Sequence, residues 1–125
     1  GDVAATRQLL EDKRSMFSTN YVWRMLWALA LAVEGDREQA IEAMDEDTLK
    51  FAAAAFPSTL AVAEFYAVLG DVPRAIEWLE RTVRNGDERT AWFRASPRLA
   101  GIRPDPRFQR IIDSIESRRK TSGSR

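Results

Sequence analysis

The stretch Leu31-Ala32-Val33-Glu34-Gly35-Asp36-Arg37-Glu38-Gln39-Ala40-Ile41-Glu42-Ala43-Met44 returns 35 residues later as Tyr66-Ala67-Val68-Leu69-Gly70-Asp71-Val72-Pro73-Arg74-Ala75-Ile76-Glu77-Trp78-Leu79. In both copies a helix-favouring run ends on Gly-Asp, and Ala-Ile-Glu then opens a second amphipathic run. One helical hairpin is written twice. A repeat of this length marks stacked helix pairs, because a single pair cannot bury its apolar face alone. The expected class is all-α, with the hairpins stacked as an α-α superhelix, or solenoid.

Outward from this repeat, Tyr21 to Glu34 reads as a helix that is apolar over much of its circumference and so buried on two sides. Gly35 stops it in the left-handed conformation that glycine tolerates, and Asp36 caps the next helix. That helix is predicted from Arg37 to about Asp47, extendable to Ala55 through Leu49 and Phe51. Pro57 falls near the first turn of a helix running to Leu69. Gly70 and Asp71 repeat the stop and cap, and Arg74 to Arg84 forms the partner helix. Glu77 with Arg81 and Glu80 with Arg84 are spaced as i,i+4 ion pairs on its wet side. Upstream, Val3 to Arg14 reads as one more helix, and Ser15 to Asn20 as a turn with Met16 and Phe17 as packing plugs.

The composition narrows function more than it names it. Of 125 residues, 45% are apolar and 30% charged, as in an ordinary globular domain. Lys plus Arg (19) balances Asp plus Glu (19), so no global field draws the chain to nucleic acid or anionic lipid. Histidine and cysteine are both absent, which removes the commonest general base, the commonest metal ligand and any disulfide. Met25 to Val33 and Phe51 to Phe56 are too short to span a bilayer. No export signal is visible at Gly1-Asp2-Val3. The expectations are no enzyme activity, no cofactor, no metal, no nucleic-acid or membrane partner, and a cytoplasmic location. The missing initial Met and the opening Gly-Asp pair suggest a chain cut from a longer protein at the turn of an earlier hairpin.

The repeated residues resemble tetratricopeptide repeats. With units counted from Tyr21 and from Phe56, Ala28 and Ala63 match the family's first close-contact position. Gly35 and Gly70 match its inter-helix turn, Ala40 and Ala75 its second close-contact position, and Tyr66 a favoured tyrosine. Small residues there let two helices approach closely. Arg24 departs from the pattern, standing where the family places a large apolar residue, and Asp47 replaces a small one. After Gly86, Trp92, Pro97, Asp105, Pro106, Arg107 and Phe108 resemble the closing segment of repeat regions in bacterial multidomain signalling proteins, fused behind kinase, cyclase or winged-helix regulator domains. There Asp105 caps and Pro106 starts a last helix, with Phe108, Ile111, Ile112 and Ile115 as one apolar stripe.

The expected organisation follows. Residues 1–20 are the second helix of a truncated preceding repeat plus linker, 21–86 two hairpins, 87–117 a degenerate C-terminal capping unit and 118–125 a frayed basic tail. The resemblance implies a protein–protein interaction or scaffolding module that binds a partner protein or an adjacent domain of its parent chain. By the family pattern, Val22, Met25, Leu29 and Val33 with Leu60, Glu64 and Val68 would line an apolar concave groove carrying one acid. The Lys/Asn set with which family members clamp a C-terminal carboxylate is lacking, which disfavours that ligand. A sensory module holding a small apolar ligand near Trp23, Met25 and Trp27 is the alternative.

Other clusters read more plainly. Trp23, Trp27 and Trp78 are expected in the core, with Trp92-Phe93 as a plug over the last hairpin. Glu42, Asp45, Glu46 and Asp47 suggest a solvated helix face, since a calcium loop would need a glycine turn. Neither Gly-Asp pair has the lysine and strand of a phosphate loop. Arg94, Arg98, Arg103 and Arg107 are expected to pair with Asp87, Glu88 and Asp105. Arg118, Arg119 and Lys120 suggest a solvated terminus.

Overall fold

A computed structural model of the protein describes residues 4–5, 21–54 and 58–123. Apart from residues 4–5, the helix expected over Val3 to Arg14 lies outside the described residues. So do the Ser15–Asn20 turn, Phe56 and Pro57. The described residues form helices and connecting turns and contain no strand. In chain order they are α1 (Tyr21–Glu34), α2 (Arg37–Ala43), α3 (Glu46–Ala54), α4 (Ser58–Leu69), α5 (Val72–Arg84), α6 (Thr90–Ala95), a 3-10 turn (Pro97–Leu99) and α7 (Pro106–Gly123).

The two Gly-Asp pairs build the same junction. Gly35 and Gly70 adopt φ of 89° and 82°, where a side chain would strain the backbone. Gly35 N–H donates to Ala32 O and Asp36 N–H to Leu31 O; Gly70 and Asp71 repeat this on Ala67 O and Tyr66 O. This paired bonding satisfies the last carbonyls of α1 and α4. Gly86-Asp87 ends α5 in the same way, on Val83 O and Thr82 O.

Close helix approach rests on small residues. Ala28, Ala40, Ala63 and Ala75 are all fully buried. Around them α1 packs on α2, α4 on α5, and α1 on α4. Leu31, Phe65 and Leu79 fill the spaces between, each contributing about 1.5–3 kcal/mol by leaving water. A buried hydroxyl pair, Thr59 and Thr82 at 3.0 Å, joins α4 to α5, and the Thr82 hydroxyl also reaches Trp78 O at 2.9 Å.

The second hairpin is regular; the first is not. Asp71 caps α5 with its side chain, accepting from Arg74 N–H. The helix expected from Arg37 to Asp47 instead stops at Ala43, and a new one begins at Glu46. Asp45 stands at the break. Its Oδ1 accepts from Thr48 N–H at 2.9 Å and from the Thr48 hydroxyl at 2.7 Å, and its Oδ2 binds Arg24 at 2.8 Å. An aspartate that satisfies the first amides of a following helix favours a fresh start over continuation. Burial pushes the Asp45 carboxyl up, but Thr48 and Arg24 outweigh it and leave it below its ordinary value. Arg24, the departure from the family pattern, is the partner that ties this break to α1.

Beyond α5 the chain folds back as a cover. The 3-10 turn packs on α4, and α7 packs on α5. Phe93, Leu99, Ile102, Phe108, Ile111, Ile112 and Ile115 are buried. Gly101 permits this docking: a Cβ there would lie 2.8 Å from Ala67 O. Of the expected Trp92-Phe93 plug only Phe93 enters the core, while Trp92 stays 48% exposed, because neighbours on a helix point about 100° apart. The helix also runs past the expected limit at residue 117, to Gly123. Arg118 pairs with Glu88 at 2.9 Å and Arg119 donates to the Thr90 hydroxyl at 3.1 Å, so the basic tail is helical through residue 123 rather than frayed from 118.

Candidate functional site

The groove residues do not form one open strip. Met25, Leu29 and Leu60 are buried, Val68 is half-buried, and only Val22 (44%) and Val33 (39%) are exposed. Packing of α1 on α4 closes the centre of the strip, and the segment from Thr90 to Leu99 closes its far end.

Glu64 shows this closure most directly. It was expected as the strip's open charge, but it is 7% exposed and accepts a hydrogen bond from the Ser96 hydroxyl at 3.2 Å. Burial raises its carboxyl pKa; the Ser96 bond and the charges of Arg98 and Arg89 act against that rise. Ser96 is itself held by Arg103, which donates to Ser96 O at 2.6 Å and to Phe93 O at 3.2 Å. Glu64 therefore belongs to the joint between α4 and its cover. Local sequence could not show this, since Ser96 lies 32 residues away.

The arginines near the closing turn divide by partner. Arg107 pairs with Asp105 at 3.0 Å, as the sequence suggests. Arg94 instead pairs with Glu116 at 2.6 Å, and Arg103 binds backbone carbonyls. Asp87 is taken by Arg89 at 2.8 Å and Glu88 by Arg118. Trp27 and Trp78 are buried, with Arg81 stacked over the Trp78 ring at 4.6 Å, and Trp23 is packed against the core. Met25 and Trp27 thus sit in the core, where the alternative reading would have placed a ligand.

Among the described residues, two further features stand out. On α1, Leu26 (44% exposed) follows Val22 by one turn, and Val33 lies on the same side of the helix beyond the buried Leu29 and Ala30. Between α5 and α7 lies a cleft of about 310 Å³, lined by Glu80, Val83, Arg84, Arg107, Arg110, Ile111, Ser114 and Arg118. The expected Glu80–Arg84 ion pair is not formed within 4 Å, although Glu77–Arg81 is, at 3.5 Å. The spacing of Arg107, Arg110 and Arg118 on one predicted helix was the available signal for this cleft.

No group of three or more His, Cys, Asp or Glu side chains that could hold a metal ion occurs among the described residues. No helix among them is long and apolar enough to cross a membrane. Comparison with protein-family models, with curated proteins and with solved structures finds no match.

Proposed function

We propose that the chain is a protein-interaction or scaffolding module: a short tetratricopeptide-like superhelix with a degenerate capping unit, carried by a larger bacterial signalling or regulatory protein in the cytoplasm. The observation that carries this reading is the stacking of two hairpins with matching Gly-Asp junctions and matching buried alanines. Such stacks bury a continuous core and spend their remaining faces on partners. The warrant is architectural, since function resides in sites and not in folds. Burial of Leu29, Leu60 and Glu64 moves the recognition surface away from the groove centre. Leu26 and Val33, apolar and exposed on α1, are the better anchors for a partner helix or extended segment.

The test is a random-peptide display selection on the chain, counter-selected on Leu26→Asp/Val33→Asp. Enriched peptides with apolar anchors that bind the wild type and not the variant, at equal helicity, are the expected outcome. Peptides binding both proteins equally, or no enrichment, would overturn the assignment.

A further inference from the structure

We propose that the cleft between α5 and α7 binds a small organic phosphate: a phosphate group on an apolar body. Its floor is apolar, with Ile111 buried and Val83 half-buried, and its rim carries the exposed guanidinium groups of Arg84, Arg107 and Arg110, with Arg118 at one end. Arg107 and Arg118 stand about 16 Å apart along α7 and are held by Asp105 and Glu88. Between them, Arg110 from α7 and Arg84 from α5 have no carboxylate of the described residues within ion-pair distance, and Arg110 acts on Asp105 only at longer range. One acid, Glu80, lies in the lining, where it acts on Arg107.

Two guanidinium groups on opposite walls, neither in an ion pair with a carboxylate among the described residues, suit one anion with acceptor oxygens facing both. A tetrahedral phosphate presents oxygens in several directions; a planar carboxylate offers two in one plane. Arginine is the side chain best matched to such oxygens, and the Ser114 hydroxyl supplies a further donor. The volume is that of a small-molecule site and not of a macromolecular groove. An apolar body seated on Val83 and Ile111 adds affinity that bare phosphate lacks.

The experiment is an NMR titration of the folded chain at physiological salt with phenyl phosphate, inorganic phosphate and phenol. Arginine Nε and isoleucine methyl signals are the readout. Phenyl phosphate should move Arg84, Arg110 and Ile111 saturably, and more tightly than inorganic phosphate does; phenol should move none of them to saturation. Arg84→Gln and Arg110→Gln should each weaken phenyl phosphate by about tenfold, as expected for a lost charged hydrogen bond. Arg94→Gln, whose partner is Glu116, should leave it unchanged. Both cleft arginines are exposed, and circular dichroism checks that each variant is folded. Shifts spread evenly over the arginines of the whole chain would overturn the proposal, as would phenol binding as well as phenyl phosphate. So would undiminished affinity in both cleft variants.

Discussion

The two hairpins share a junction and diverge after it. Both α1–α2 and α4–α5 turn on Gly-Asp with the same pair of backbone bonds, and both bury the alanine that follows. Yet α5 runs 13 residues while α2 runs seven. The second hairpin is packed by the first on one side and by α7 and the 3-10 turn on the other. The first spends Asp45 on Arg24 and on capping α3. A turn signature thus specifies where a hairpin bends; how far its second helix continues depends on the next residue able to offer the backbone a better bond.

The largest effect should come from the contact that both hairpins require. Ala75→Arg forces a long charged side chain into a fully buried helix contact, costing roughly 3 kcal/mol or more. The expected readout is a collapse of the thermal melt followed by circular dichroism. An unchanged melt would mean that α4 and α5 do not pack through this position.

The cover over the second hairpin is tested by Gly101→Ala. The new Cβ would meet Ala67 O at 2.8 Å, and backbone cannot swing aside as a side chain can. We expect a loss of about 1–3 kcal/mol. Gly35→Ala meets no neighbour and should cost about 1 kcal/mol through its positive φ. Equal losses would imply that the cover is loosely docked.

The break in the first hairpin should be worth less. Asp45→Ala removes a helix cap and a half-exposed ion pair, about 1–2 kcal/mol together. The urea midpoint should fall with the slope unchanged. A variant that gains helicity would show that Asp45 interrupts a helix otherwise willing to continue.

These regions were unequally legible. Gly35, Gly70, Pro106 and the stripe Phe108, Ile111, Ile112 and Ile115 could be read because glycine stops, proline starts and helical periodicity are local signals. Asp45 looked like one more acid in a solvated run, since its deciding partner, Arg24, lies 21 residues back. Glu64 was misplaced for the same reason. A family register gives a side chain's direction on its helix, and not what a later segment will lay over it. The cleft arginines were visible in sequence, but their grouping with Arg84 required the packing of α7 on α5.

The smallest effect is a pH dependence confined to the covered hairpin. Burial raises Glu64 above its ordinary value of 4.5, so the folded chain holds this proton more tightly than the unfolded one. Its contribution is fully present below that value and is lost as pH rises through the folded pKa. Glu64→Gln can still accept the Ser96 bond without the charge. The melting temperatures of variant and wild type should agree near pH 4 and separate toward neutrality, with the variant the more stable. Parallel curves would mean that Glu64 reaches water.

The account turns on α1 being sealed at Leu29 and open at Leu26, one turn apart, which Leu29→Asp and Leu26→Asp measure directly in paired thermal melts. Leu29 is buried and Leu26 is not. Leu29→Asp should cost roughly 3 kcal/mol, and Leu26→Asp less than about 0.5 kcal/mol. Equal destabilisation by both would contradict the packing of α1 on α4, and with it the assignment of Leu26 and Val33 as the surface left for a partner.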